Sequence, residues 1–418
     1  MSKKHIRHVT RMLLFALAIS MIFIISPLSA AEEVTAIRGG DLYTITGGVI
    51  KNGTILIRGG KISDIGQNVE IPEKAKVIDA RGKVVMPGLV AVNAEVGVIG
   101  YQDITRIADS LDPFEFSVSL ALASGITTAM VSAGRPSGDS PIGGATAVIK
   151  TFYGDLDQML VKESVVQPVM ISNRDWLRKT TFKQNLRKAQ SYLRKLAEYQ
   201  QAKDKKVEEP KKPGGLDEYI RLLQREVPAA MTASTTDDIL AALELVDEFG
   251  IRMILADAVE AWIVAEEIAK RDVRVVITPR QKRRPNEDIS GPSGSNLENA
   301  AILKKAGVKF AIIPPSTSFE TWGVVGRDMM ALPMEAAFAV SGGLDEQTAL
   351  EAMTITAAEI IGVADRLGSL QVGKDADIII LDGHPFHHKT FVESTLINGK
   401  VLYEKAKSLY FSHITHDE

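Results

Sequence analysis

Val84-Val85-Met86-Pro87-Gly88-Leu89-Val90-Ala91-Val92-Asn93-Ala94-Glu95-Val96-Gly97 is the stretch of sequence that decides the fold. Its apolar residues predict a buried strand that starts at the Pro87-Gly88 corner. Side chains two residues apart lie on the same face of a strand, so Asn93 and Glu95 are predicted to point into one cavity. The first strand of a barrel would present a pair of ligands in this way.

The residues before this stretch have the pattern of a small antiparallel sheet. Short β-type runs separated by glycine occupy residues 34–84, and Asn52-Gly53 and Gly59-Gly60 are hairpin signals between them. The same pattern returns near the end of the chain, where Asn398-Gly399 predicts another hairpin. The strands of the two ends are therefore predicted to form one domain, a composite β-sandwich made from residues 31–87 and 367–408.

Beyond Gly97 the pattern changes to strands that alternate with helices over about 270 residues. Such alternation predicts parallel strands with crossover helices, and at this length a closed (β/α)8 barrel of the TIM type is expected for residues 88–366. The overall fold class is therefore α/β. A charged insertion at residues 183–215 is predicted to be a solvated helix followed by a flexible loop, because acidic residues are interspersed with basic ones.

The composition is that of a soluble globular protein with a large core. The chain has 418 residues, of which 45% are hydrophobic and 24% charged, and its formal net charge is −3. A nearly neutral chain gives no reason to expect nucleic acid as a partner. Cysteine is absent, so a disulfide framework is excluded.

Residues 1–30 have the layout of a secretory signal peptide. Four basic residues precede the apolar run Met12 to Ser26, and small residues suited to cleavage follow near Ala30. This layout predicts an exported protein, in a bacterial periplasm, with no membrane attachment after cleavage. The alternative, an uncleaved anchor, would need a longer apolar run.

Several blocks of sequence share a family pattern that extends over most of the chain. They are residues 52–57, Val85-Met86-Pro87-Gly88-Leu89, residues 123–128, residues 141–150 and Gly368-Ser369-Leu370-Gln371-Val372-Gly373-Lys374-Asp375-Ala376-Asp377. On these blocks the chain resembles the amidohydrolase superfamily, in particular its exported imidazolonepropionase-like branch. The resemblance implies a barrel beside a composite β domain, and metal-dependent hydrolysis of carbon–nitrogen bonds.

The family's metal ligands do not carry over onto this sequence. Where the family has Asp-x-His-x-His on the first strand, this chain has Ala91, Asn93 and Glu95. The two later histidines of the family correspond to Thr232 and Asp257. These substitutions predict a degenerate metal site.

Two further elements of the family site are also in doubt. The aspartate that follows the eighth strand in the family falls near Ile313-Pro314-Pro315, where this chain has no carboxylate. Lys150 is the closest candidate for the carbamylated lysine that bridges metals in some members. With these positions we expect a cavity lined by Asn93, Glu95, Lys150, Thr232 and Asp257, and no assignable catalytic residue.

The distribution of histidine supports the same conclusion. No histidine lies between residues 9 and 383, and the seven histidines are His5, His8, His384, His387, His388, His413 and His416. A barrel without histidine or cysteine has none of the ligands that zinc prefers. No cofactor is therefore predicted, although a divalent metal with oxygen ligands, such as Mg²⁺ or Ca²⁺, stays open.

Three functions remain open from the sequence. In the first, the chain is a degenerate amidohydrolase that binds a small molecule or an active amidohydrolase paralogue. In the second, it is a structural subunit of a homo- or hetero-oligomer. In the third, it is an active hydrolase of carbon–nitrogen bonds with an atypical, carboxylate-based site. In that last case Glu95 and Asp257 would form the acid–base pair.

Overall fold

A computed structural model describes residues 33–99, 106–132, 140–171, 175–201, 208–288, 290–319 and 326–414. The predicted signal peptide lies outside these ranges. Within them, none of the helices combines the length and apolar character needed to cross a membrane.

The strands fall into an N-terminal group, a central group and a C-terminal group. They are β1 (Val34–Tyr43), β2 (Val49–Arg58), β3 (Lys61–Gly66), β4 (Lys76–Asp79), β5 (Val84–Pro87), β6 (Leu89–Ala91), β7 (Ile126–Ser132), β8 (Thr146–Lys150), β9 (Leu160–Glu163), β10 (Gln167–Val169), β11 (Ala229–Thr232), β12 (Met253–Ala256), β13 (Arg274–Ile277), β14 (Phe310–Ile312), β15 (Ile378–Leu381), β16 (Val392–Ile397) and β17 (Lys400–Glu404).

The helices lie between the central strands and after them. They are α1 (Phe116–Ala123), α2 (Leu156–Met159), α3 (Trp176–Gln201), α4 (Asp217–Leu223), α5 (Thr236–Phe249), α6 (Ala265–Lys270), α7 (Asn299–Lys305), α8 (Leu332–Ser341), α9 (Glu346–Ala352) and α10 (Ile355–Ile360). Helix α5 has a capping residue at each end. The Thr235 hydroxyl oxygen accepts a hydrogen bond from the N–H of Asp238 at its N-terminus, and Gly250 ends the helix at a φ of 66°.

Both ends of the chain contribute strands to one eight-stranded sheet. Its order is β17-β16-β15-β5-β1-β2-β3, and β4 pairs with β1. The predicted hairpin turns at Gly59-Gly60 and Asn398-Gly399 are confirmed, since Arg58 pairs with Lys61 and Ile397 with Lys400.

The hairpin predicted at Asn52-Gly53 is wrong. Both residues lie inside β2, where Asn52 has a φ of 50° and the ladder with β1 is irregular around the Gly40–Gly53 pair. The turn between β1 and β2 forms earlier, where the Thr44 N–H donates to the Gly48 carbonyl oxygen at 3.0 Å. The Asn-Gly pair thus accommodates a bulge, which needs the same left-handed backbone as a tight turn.

The central strands confirm the predicted α/β fold class. Strands β10 to β14 form a parallel sheet in chain order, and β6 to β9 form a second sheet in which β6 and β7 are parallel. Backbone hydrogen bonds join the two sheets at two seams. Met170 N–H donates to Pro141 O at 2.8 Å at one seam, and Glu95 N–H donates to Thr317 O at 2.7 Å at the other.

The predicted strand that starts at the Pro87-Gly88 corner is present as β6, but it ends at Ala91, so Asn93 and Glu95 lie beyond it. Strand β5 belongs to the eight-stranded sheet and β6 to the barrel, and the chain passes from one to the other at Gly88. A side chain at Gly88 would place its Cβ 2.0 Å from Thr127 Oγ1, so only glycine fits between the two layers.

Lys150 lies at the end of the barrel opposite to the predicted cavity, which contradicts its assignment as a metal-ligand position. Strand β8 runs antiparallel to β7, and Lys150 at its end therefore pairs with Thr128 near the start of β7. At that end of the barrel the Gly88 N–H donates to the Asp377 carbonyl oxygen at 3.0 Å. The reversed direction of β8 is the reason why the prediction failed.

The Lys150 side chain instead joins the barrel to the eight-stranded sheet. It is 1% exposed, and its Nζ lies 2.9 Å from Asp375 Oδ2, 3.0 Å from Asp377 Oδ1 and 2.5 Å from Asn398 Oδ1. Asp375 also accepts hydrogen bonds from Lys61 at 2.9 Å and from Arg366 at 2.7 Å. We call Lys150, Asp375 and Asp377 the interlayer ion cluster.

The two carboxyl groups of the interlayer ion cluster have opposite pKa shifts. Burial raises the pKa of Asp375, but the hydrogen bonds of Lys150, Lys61 and Arg366 outweigh it and lower that pKa to about 2. Burial raises the pKa of Asp377, which Lys150 offsets only in part. The difference arises because Asp375 contacts three cations, whereas Asp377 forms an ion pair with Lys150 alone within the described residues.

Replacement of Lys150 by methionine tests the cluster. We expect Lys150→Met to lower the free energy of unfolding by about 3 kcal/mol or more, because it leaves carboxyl groups buried without their shared cation. Urea unfolding at pH 7 measures this change.

The matched control is Lys51→Met, which removes an ion pair of 2.7 Å with Asp41 whose side chains are 64% and 33% exposed. That substitution should change the free energy of unfolding much less than Lys150→Met does, because solvent screens an exposed ion pair. Equal effects of the two substitutions would contradict the role of the cluster.

Candidate functional site

Four of the five predicted cavity residues lie at the carboxyl end of the barrel strands. Asn93 and Glu95 follow β6, Thr232 ends β11, and Asp257 follows β12. Because Thr232 pairs with Ala256 in the β11–β12 ladder, Thr232 and Asp257 are close neighbours at this rim. We call this end of the barrel, with these four residues, the barrel mouth.

Asn93 and Glu95 keep the alternation that the sequence predicts, although they lie beyond the strand. Both are exposed, whereas Val92, Ala94 and Val96 are at most 2% exposed. Glu95 Oε1 accepts a hydrogen bond from Thr317 Oγ1 at 3.1 Å. The carboxylate of Glu95 thus contacts the loop after β14 across the seam of the barrel.

Asp257 has an unusual backbone and a constrained side chain. Its φ is 55°, and its Oδ2 accepts a hydrogen bond from Ser234 Oγ at 2.5 Å. Burial raises the pKa of Asp257, and the Ser234 hydrogen bond and the charge of Arg283 offset this only in part. The carboxyl group is therefore a better proton acceptor than an ordinary aspartate and a poorer source of negative charge.

Glu260 organises the loops of the barrel mouth, and the sequence analysis did not identify it. Its side chain is 6% exposed, and Oε2 accepts the N–H of Thr236 at 2.7 Å. Oε1 accepts the N–H of Gly294 at 2.8 Å and lies 3.4 Å from Arg283 Nε. The carboxylate thereby holds together the loops that follow β11, β12 and β13.

The sequence contains a signal for Glu260, although residues 259–270 also have the pattern of a helix. In the structure these residues form a 3-10 helix, Ala261–Ile263, followed by α6. A glutamate next to Ala258, Val259 and Ala261, all of which are buried, could have been recognised as a buried carboxylate that needs partners.

The donor groups of the barrel mouth do not fit a hydrolytic metal centre. The site offers an amide, a hydroxyl and two carboxyl groups, and no imidazole or thiolate. Within the described part of the chain, no three His, Cys, Asp or Glu side chains are grouped so that they could hold a metal ion. The position after β14 is occupied by Ile313, Pro314 and Pro315, which supply no carboxylate base.

Comparison with known proteins gives a family match and a structural match. A family model described as the amidohydrolase family matches residues 195–402. The 5'-deoxyadenosine deaminase of Methanosarcina acetivorans is 44% identical over 69 residues, which is 16% of this chain and 16% of that protein. The dihydroorotase of Anaeromyxobacter dehalogenans is 38% identical over 65 residues, 16% of this chain and 15% of that protein. The chain thus matches less than a fifth of the length of these curated relatives.

Among solved structures, an amidohydrolase from Thermotoga maritima MSB8 superposes with a TM-score of 0.73. The alignment covers 88% of this chain and 100% of that chain at 24% identity. A molinate hydrolase structure gives a TM-score of 0.51 at 16% identity, with 89% of this chain and 95% of that chain covered. At these identities the likeness concerns the fold alone.

Substitution of Asp257 by asparagine tests its raised pKa. A group with a raised pKa in the folded state stabilises the protein fully below its unfolded pKa, and this contribution is lost as the pH rises through the folded pKa. Asparagine cannot ionise and can still accept the Ser234 hydrogen bond. We therefore expect Asp257→Asn to be more stable than the native chain at pH 7, by a margin that shrinks as the pH falls towards 4.

Asp247→Asn is the control with the opposite sign. The hydrogen bond of Arg271 lowers the pKa of Asp247, so its stabilising contribution is present at neutral pH and is lost on acidification. Thermal unfolding of both variants is measured from neutral pH down to about pH 2. The Asp257→Asn margin should change above the unfolded pKa of aspartate, and the Asp247→Asn margin should change below it with the opposite sign. A constant margin for Asp257→Asn would show that this carboxyl group is not perturbed.

Proposed function

The chain belongs to the amidohydrolase superfamily, and from that premise we propose that it is a member without metal-dependent hydrolysis, which binds a small molecule at its barrel mouth. One observation carries the proposal, namely the set of donor groups at the former ligand positions. Asn93 and Thr232 can donate and accept hydrogen bonds, but neither can hold zinc or generate a nucleophile.

The contacts of the two remaining acids support a binding role. Glu95 is bound to Thr317 and Asp257 to Ser234, so each carboxyl group already has a partner within the protein. A metal ligand would instead be free to face an ion together with two or three other donors. The raised pKa of Asp257 also disfavours the charged form that a metal requires.

The same raised pKa is the observation that favours the second candidate, a hydrolase of carbon–nitrogen bonds that uses carboxylates. A perturbed acid in a cleft is suited to proton transfer. Amide hydrolysis needs, in addition, an activated water and a group that stabilises the oxyanion. The Asn93 amide and the Thr232 hydroxyl can bind a ligand but do not activate water, so we favour binding.

We also propose that the protein is exported. Residues 1–30 would direct the chain to the periplasm and be removed, and the remaining chain, which contains no cysteine, would fold there. A partner subunit, such as an active paralogue, is a further candidate ligand for the same protein.

Metal analysis of the untagged protein, combined with a substrate screen, tests the proposed function. We expect much less than one zinc, magnesium or calcium ion per chain after gel filtration. The melting temperature should be unchanged when EDTA is added, because a bound ion would stabilise the folded state. Dipeptides, lactams and imidazolones should be hydrolysed no faster than in the absence of protein.

The double variant Glu95→Ala/Asp257→Ala is the baseline for this screen. The native chain and the variant should give the same rates. Stoichiometric metal together with a turnover that the double variant loses would overturn the proposal and establish the carboxylate-based hydrolase.

A further inference from the structure

A cavity of about 910 Å³ lies beside the barrel mouth, beyond the carboxyl ends of β13 and β14. Its wall includes Arg280, Lys282, Pro315, Arg327 and Phe338. Three of these residues are cations, and no carboxyl side chain belongs to the wall within the described part of the chain. We call it the cationic cavity.

Arg280 is fixed in place by contacts behind the wall. Its Nε lies 2.5 Å from Oε1 of Glu335, which is fully buried, and its Nη2 lies 2.5 Å from the Gly326 carbonyl oxygen. Its guanidinium also lies over the ring of Phe338, with Cζ 5.0 Å from the centroid. Its Nη1 makes no hydrogen bond to the part of the chain that the structure describes.

The other two cations of the wall face solvent. Lys282 and Arg327 are exposed, and neither forms a side-chain ion pair within the described residues. The wall thus contains three cations, and Glu335 behind it supplies one negative charge when it is ionised. Protonation of Glu335 would make the charge more positive, and burial raises the pKa of that carboxyl.

We propose that the cationic cavity binds a small molecule with two negative charges on oxygen, such as a dicarboxylate or a phosphate monoester. Arg327 would form a two-point contact with the anionic group, and Arg280 Nη1 and Lys282 Nζ would add single contacts. The volume is within the range of small-molecule sites and exceeds that of a bare phosphate ion, so the anionic group would belong to a larger ligand. The inference goes beyond the proposed function, because this cavity is lined by other residues than the barrel mouth.

Calorimetric titration of the full-length protein with inorganic phosphate, succinate and acetate tests the inference. We expect phosphate and succinate to saturate one site per chain, and acetate to bind at least about ten-fold more weakly because it has one charge. Stronger binding of phosphate than of succinate would assign a phosphate ester, and the reverse a dicarboxylate. Either order supports the cavity as a dianion site.

Variants of the exposed cations locate the binding. Arg327→Gln and Lys282→Gln should each weaken dianion binding about ten-fold, with unchanged circular dichroism spectra, since neither side chain supports the fold. Arg194→Gln removes an exposed cation of α3 that does not belong to the wall of the cavity, and it should leave the affinity for the dianion unchanged. For Arg280 the pair Arg280→Gln/Glu335→Gln avoids an unpaired buried acid and should also weaken binding.

Two results would overturn the inference. The first is the absence of saturable dianion binding, and the second is an affinity that the double variant Arg327→Gln/Lys282→Gln retains within about two-fold. Neither result affects the proposed function, which is decided by metal content and turnover. Conversely, metal-dependent turnover in a protein that binds dianions at this cavity would overturn the proposed function alone.

Discussion

The buried ammonium group of Lys150 is the contact on which the relation between the two layers depends. It belongs to a barrel strand, yet its partners Asp375, Asp377 and Asn398 all come from the C-terminal part of the chain. A lysine that is 1% exposed is tolerated only when carboxylates and hydrogen bonds replace its hydration. The cluster therefore requires that the last strands return to the amino end of the barrel, where they complete the eight-stranded sheet.

This arrangement separates structure from function in the molecule. The amino end of the barrel contains the ion cluster and the Gly88 contact, and both concern stability. The carboxyl end contains Asn93, Glu95, Thr232 and Asp257, and Glu260 holds together the loops that follow β11, β12 and β13. Barrel proteins generally bind their ligands at the carboxyl end, so substitutions there change the chemistry without changing the frame.

The distribution of charged side chains at the carboxyl end of the barrel also bears on the kind of ligand. Buried carboxyl groups there are neutralised by partners within the protein, as Glu335 is by Arg280 and Glu260 by Arg283. Within the described residues, Lys282 and Arg327 at the cationic cavity form no side-chain ion pair and are exposed to a ligand. An anionic small molecule thus matches this end of the protein better than a metal cation, which would need carboxylates that are free.

The sequence by itself determined the class of fold and the residue types that the barrel offers. Periodicity predicted the barrel, the Pro87-Gly88 corner predicted the start of its first strand, and residues 9–383 contain no histidine, which is a preferred ligand of zinc. These conclusions depend on local pattern and on residue identity, which a sequence states directly. Only the tertiary structure decided where Lys150 lies, which loops Glu260 joins and that Arg280 and Arg327 share a cavity. Such facts depend on strand direction and on contacts between distant residues, because one reversed strand, β8, moves a side chain to the opposite end of the barrel.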